Sequence, residues 1–185
     1  MEVGSGLEGP TYVVVGASGI LAPLGRLLSR VGPGEGRPLR VGVSRGSRLQ
    51  EGDWDRRLAL DAREPEAVRR VLADLRSEGL GVDVAVGYSP ALSPRSWAVL
   101  ARASARAVIV LPSRFAGPSM GQDASAAWLP TRTTSWVLLG WTGGRGRARW
   151  HTPDEVSRDV ADAVRSGGVE PLTVGRVTPW SDRPT

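Results

Sequence analysis

Between Tyr12 and Ala22 the chain reads YVVVGASGILA, and no other stretch restricts the fold as strongly. Val13, Val14 and Val15 are consecutive β-branched residues, which suit a strand buried on both faces at the centre of a parallel sheet. Gly16 allows a sharp turn, Gly19 allows a ligand to approach the backbone without meeting a Cβ, and Ala22 keeps the next helix close to the strand. A Gly-x-x-Gly-x-x-Ala spacing between strand and helix predicts a dinucleotide phosphate site built by Gly16, Ala17, Ser18, Gly19 and Ile20. Free N–H groups at the helix start would face the pyrophosphate. A tightly packed strand-turn-helix without a ligand is the alternative this spacing leaves open. Pro23 is tolerable only near the start of a helix, so the helix is expected to begin between Ser18 and Ile20. Leu21, Leu24, Leu27, Leu28 and Val31 then form its sheet-facing side, and the Gly32 to Gly36 run ends it.

The second strand, Leu39 to Arg45, ends in Ser44-Arg45, with Arg48 one turn on. An acidic residue at this position would accept hydrogen bonds from the ribose hydroxyls of NAD, whereas a guanidinium clamps the additional phosphate of NADP through two donors. The pair therefore selects NADP(H) over NAD(H), a solvated surface arginine being the ordinary alternative.

The rhythm continues. Arg57 to Leu60 reads as a third strand ending at Asp61-Ala62, and a helix follows with Pro65 in its first turn and Val68, Val71, Leu72 and Leu75 on its apolar face. Val82 to Gly87 is the fourth strand, leading into Tyr88 and Ser89. Ser93 caps a helix that runs to about Ala103, and Ala107 to Leu111 is the fifth strand, followed by Pro112-Ser113. Arg114 to Thr133 breaks the pattern, admits one short helix between Asp123 and Leu129, and is the expected lid or substrate loop. Ser135 to Trp141 resumes as a sixth strand. Thr152-Pro153-Asp154-Glu155 is a capping box opening a helix through Val156, Val160 and Val164, and Leu172 to Val177 supplies the final strand. Strands alternating with amphipathic helices predict an α/β chain: one Rossmann-like, doubly wound parallel sheet of about seven strands in a single domain over residues 11–185, preceded by a flexible segment, 1–10.

Composition removes several chemistries. All 24 basic residues are Arg and none is Lys, which excludes a Schiff base or a lysine ammonium. With no Cys and one His, thiolate nucleophiles, disulfides and a histidine-built zinc centre are excluded as well, so no metal site is expected. The net charge of +5 and the segment Gly143 to Arg149 suggest polyanions, but 19 acidic residues are interspersed and aromatics make up only 5%. A basic loop beside a nucleotide cofactor or anionic substrate is the preferred reading over nucleic-acid binding. No run approaches a membrane span and residues 1–10 lack a secretion-signal pattern, so a cytoplasmic protein is expected.

Taken together, these segments resemble the short-chain dehydrogenase/reductase superfamily, in particular its atypical members and a small bacterial group of similar length. Gly16-Ala17-Ser18-Gly19-Ile20 looks like that superfamily's cofactor turn and Ser44-Arg45 like its NADP-selecting position. Asp61-Ala62 is similar to the pair that meets the adenine, and Gly87-Tyr88-Ser89 to the segment lining the nicotinamide ribose. Arg149 to Thr152 with Glu155, and the ending Pro179 to Pro184, are similar to the small group. The resemblance implies an NADP(H)-dependent reductase of a small carbonyl or imine compound, and a homodimer as its assembly.

One departure matters. The family's serine, tyrosine and lysine act together, the last two in Tyr-x-x-x-Lys, and here only Ser113 matches. The sole tyrosines are Tyr12 and Tyr88. A nonstandard proton donor is therefore required, and Tyr88, Ser113 and His151 are the candidates. Each also has an ordinary reading: Tyr88 as packing against the ribose, Ser113 as a turn residue, His151 as a structural side chain. Trp136, Trp141 and Trp150 suit either an apolar substrate pocket or the core. Two other classes stay open, a catalytically inactive nucleotide-binding sensor or partner subunit, and a non-redox lyase, isomerase or cyclase reusing the pocket.

Overall fold

The computed structural model describes residues 9–29, 36–46, 49, 52–118, 127–129, 131–143, 147–167 and 170–184. Seven strands form one sheet: β1 (Thr11–Val15), β2 (Leu39–Ser44), β3 (Arg56–Ala59), β4 (Val82–Tyr88), β5 (Ser104–Leu111), β6 (Thr134–Leu139) and β9 (Leu172–Val174). Their order is β3-β2-β1-β4-β5-β6-β9 and every pairing is parallel. The order reverses at β1, so a crevice opens between the carboxyl ends of β1 and β4, where open α/β sheets bind ligands.

β1 is buried at all five positions, as its valines require. Val13 and Val15 enter one core layer with α2 (Pro65–Ser77) and α3 (Pro94–Arg102), while Val14 enters the other with α1 (Leu24–Leu28) and α4 (Pro153–Ser166). Adjacent side chains of a strand point to opposite faces, so the valine run serves both layers at once. Local capping follows the sequence. The Ser93 hydroxyl accepts from the Ser96 N–H, Thr152 and Glu155 form a reciprocal capping box, and Gly167 closes α4 at φ +69°.

Three expected boundaries move. α1 starts at Leu24 rather than between Ser18 and Ile20, because Pro23 has no N–H for the Gly19 carbonyl, which Ala22 takes instead in a tighter turn. The sixth strand ends at Leu139: the Gly140 N–H donates to Val174, and Trp141–Thr142 (β7) turns away to pair antiparallel with Arg149–Trp150 (β8). The final strand stops at Val174, and Arg176 instead bridges antiparallel to Trp141. The helix expected between Asp123 and Leu129 lies mostly outside the described residues, of which 127–128 form a turn. Arg48, Val31, Gly32 to Glu35 and residues 1–8 also lie outside them. No helix among the described residues is long and apolar enough to cross a membrane.

A charged clasp joins β2 to β3. Arg40, only 8% exposed, donates to Asp55 through Nε at 2.8 Å and Nη2 at 3.0 Å, and to the Gly25 carbonyl through Nη1. The Arg40 hydrogen bond is the main reason the Asp55 carboxyl sits at about 2, below its usual 3.8. A lowered folded-state pKa stabilises above the unfolded value, so the contribution is complete above about pH 4 and is lost as pH falls through about 2. Asp55→Asn should cost on the order of 2–3 kcal/mol in urea unfolding at neutral pH, less than the ~3–5 kcal/mol of a fully buried pair because Asp55 keeps a solvent-facing edge. It should also remove that part of the acid dependence.

Candidate active site

The crevice between β1 and β4 is open, with a volume of about 610 Å³, inside the usual range for ligand sites. Gly16, Ser18 and Gly19 form one wall, Ser44, Arg45 and Gly46 the end beyond β2, and Leu60 and Ala62 an apolar shelf. Tyr88, Pro90 and Ala91 form the opposite wall. Gly16 holds φ +94°, and a Cβ there would come within 2.9 Å of Tyr88 Cβ, so both conformation and close approach demand glycine. Gly19 differs. A Cβ there would meet only the Gly16 carbonyl oxygen, at 3.9 Å, so nothing in the protein requires glycine, and the vacant space belongs to the cleft.

The N–H groups of Gly16 and Ala17 both donate to the Val43 carbonyl, which ties the turn to β2 and removes them as ligand donors. Those of Ser18 and Ile20 make no backbone hydrogen bond among the described residues. An anion in the cleft would thus meet the turn and the Ser18 hydroxyl. The expected helix-end grip is corrected accordingly: α1 has five residues and starts beyond Pro23, so its dipole adds little at the cleft. Arg45 is exposed at the far end and has no acidic partner among the described residues.

Other expected cofactor residues divide. Ala62 lines the shelf, while Asp61 is exposed beside it and accepts from the Arg63 N–H. Gly87 is packed against Leu92 and Trp97, and Ser89 is buried with its hydroxyl unpartnered. Neither Gly87 nor Ser89 lines the crevice, nor do Ala17, which belongs to the core, and Ile20, whose side chain lines a neighbouring pocket. Arg63 at the rim, donating to the Pro90 carbonyl at 3.1 Å, was not singled out in the sequence because only the fold brings it there.

A second pocket of about 260 Å³ adjoins the first and shares Tyr88 with it. Ser113 and His151 line it together with Ile20, Pro112, Leu139, Gly140, Trp150 and Val156. The three candidate proton donors, 63 residues apart in the chain at their extremes, therefore converge on one cavity. Burial pushes the Tyr88 hydroxyl's pKa above its usual 10.0, the Arg114 charge opposing in part. Ser113 opens the short 3₁₀ turn after β5. The His151 Nδ1 lies 3.7 Å from Glu155 Oε2, beyond hydrogen-bond range, and its Nε2 is buried without a partner beside Gly175. Two guanidinium nitrogens of Arg149, at 2.9 and 2.7 Å, hold the Glu155 carboxyl well below the usual carboxylate range, with help from the Thr152 N–H. Of the three tryptophans weighed for an apolar pocket, only Trp150 lines one. Trp141 is fully buried and Trp136 packs in the core.

No protein-family model matches the chain, and no curated protein does. Solved structures do. A short-chain dehydrogenase from Burkholderia cenocepacia J2315 in complex with NADP superposes with a TM-score of 0.65 at 18% identity, over 92% of this chain and 97% of that one. A metagenomic short-chain oxidoreductase in complex with NADP gives 0.57 at 23% identity, over 98% and 100%. A short-chain dehydrogenase from Streptomyces avermitilis gives 0.60 at 15% identity, over 91% and 89%. The likeness spans nearly the whole chain, and the protein therefore has the short-chain dehydrogenase/reductase fold.

Proposed function

We propose that the protein is an NADP(H)-dependent reductase of a small carbonyl or imine compound, with the cofactor in the larger cleft and the substrate in the adjoining pocket. The observation that carries this reading is the position of Tyr88, which lines both cavities at once. A group there would lie between a cofactor held in the cleft and a substrate held in the pocket. The vacant space at Gly19, the N–H groups of Ser18 and Ile20, which make no backbone hydrogen bond among the described residues, and Arg45, which has no acidic partner among them, suit a dinucleotide's length and charge. Two similar solved structures hold NADP in the same fold.

The bound cofactor would supply a hydride to the substrate carbon. The chain's own task is to deliver a proton to the oxygen or nitrogen. Tyr88 suits it by position: the raised pKa keeps the phenol protonated through neutral pH, and a developing alkoxide is basic enough to take its proton even though burial makes it a weaker acid than a free phenol. The alcohol leaves, and the Tyr88 phenolate recovers a proton from water. Ser113 would hold the carbonyl oxygen by hydrogen bond, and His151 would complete the polar end of the pocket. Enclosing both reactants in adjoining cavities supplies orientation, worth ~7–11 kcal/mol in favourable cases, so a single acid suffices without a lysine.

A second reading, a nucleotide-binding sensor, is favoured by the missing Tyr-x-x-x-Lys pair. NADPH oxidation by the purified protein with a panel of ketones, aldehydes and imines decides between them: the reductase turns over, while the sensor binds NADPH without consuming it. Arg45→Asp should weaken NADPH by roughly 10- to 150-fold, the equivalent of losing a charged hydrogen bond of about 1.5–3 kcal/mol, and should leave NADH within about twofold. Calorimetric titration of both cofactors reads this directly, and equal weakening of the two would remove Arg45 from phosphate recognition.

A further inference from the structure

We propose that the second pocket accepts an uncharged, compact, mainly apolar compound, and that it rejects carboxylate-bearing analogues even though the chain as a whole is basic. The placement of the substrate's oxygen at the Tyr88 end rests on the reductase reading above, whereas the choice of neutral over anionic ligand rests on the pocket itself. Its body is walled by Ile20, Leu139, Trp150 and Val156, and its polar groups are the Tyr88 and Ser113 hydroxyls and the His151 ring, none of them a guanidinium or a carboxylate. A volume of about 260 Å³ falls just under the range of drug-sized sites, which sets a small ligand.

The charge argument is the stronger one. In a chain with 24 arginines, none lines this pocket among the described residues. Of the neighbouring cations, Arg149 is committed to Glu155 through two nitrogens, and Arg114, whose charge reaches the Tyr88 hydroxyl, is exposed and does not line the pocket. A carboxylate entering the pocket would lose its hydration with no arginine among the described lining residues to pair with it. A carbonyl group needs only one or two hydrogen bonds, which the two hydroxyls can donate. Trp150 sets the upper size. It is 45% exposed, packs edge-on against Trp141 at 6.3 Å, and forms the wall between pocket and solvent.

The test uses acetophenone and its para-carboxylate as probes. Binding is measured by calorimetry and by ligand-observed NMR, on the protein alone and on the protein saturated with NADPH. Acetophenone should bind at least about tenfold more tightly than the carboxylate. Leu139→Arg should reverse that preference, Leu139→Trp should abolish acetophenone binding, and Trp150→Ala should admit benzophenone, which the native pocket excludes. Leu139 is half-buried, and a thermal melt together with retained NADPH binding verifies that each variant is folded. Equal or tighter binding of the carboxylate by the native protein would overturn the proposal, as would acetophenone binding untouched by Leu139→Trp. Loss of NADPH binding with the ketone preference intact would instead count against the reductase reading alone.

Discussion

Gly19→Trp is expected to abolish binding of NADPH and NADH while leaving the melting temperature within a few degrees of the native protein. The two halves of this expectation have one cause. A Cβ at position 19 meets no atom closer than 3.9 Å, so the indole projects into the cleft and not into the core, and the fold has no reason to yield. The same ring occupies the space between the turn and Tyr88 that a diphosphate would need. Gly19→Ala extends the argument: with a non-strained backbone it should stabilise by about 0.4–1 kcal/mol by restricting the unfolded chain, while still weakening the cofactor. At Gly16 the outcome differs, since φ is +94° and Tyr88 Cβ is in the way, so a substitution there lowers stability and binding together. Calorimetry and a thermal melt on the same preparations separate the two residues.

Tyr88→Phe carries the second large effect. Removal of a general acid costs about 10²–10⁴ in rate, and the phenyl ring preserves the packing against Gly16 and the wall between the cavities. The maximal rate of ketone reduction should therefore fall by roughly that factor while NADPH affinity is nearly unchanged. The pH profile sharpens the assignment. Burial raises the Tyr88 pKa, and the protonated form is the donor, so the native rate should hold from neutral pH up to and beyond the ordinary phenol value of 10.0 and decline only above it. An unchanged maximal rate in Tyr88→Phe would pass the role to Ser113 or His151.

Local rules made much of this architecture legible. Three adjacent valines marked the central strand because burial on both faces is a property of the residues themselves, and Ser93 and Thr152 marked their helices because a cap bonds within three residues. Where the reading slipped, the deciding contact was remote or a backbone group was already taken. The start of α1 depended on a proline's missing donor, and the turn lost two of its N–H groups to Val43, a strand away. The sixth strand breaks at Gly140 because its N–H turns to Val174, which no window around residue 140 contains.

The site was legible in parts and not as a whole. Gly16, Ser18, Gly19, Ser44, Arg45 and Ala62, the cleft residues the sequence points to, line it, since each lies at or just beyond the carboxyl end of its strand. Tyr88, Ser113 and His151 could be chosen from the sequence only by elimination, in a chain without lysine or cysteine. Their convergence on one pocket needed β4, β5 and the β8–α4 connection brought side by side, and the role of Leu139, Gly140 and Val156 as its walls had no local mark.

The most direct test of the account is calorimetric titration of NADPH and NADH into the purified native protein, with Gly19→Trp as the control. The account predicts one NADPH bound per chain, more tightly than NADH, and no heat of binding for either cofactor in the variant. An absence of binding in the native protein, or equal binding in Gly19→Trp, would contradict it.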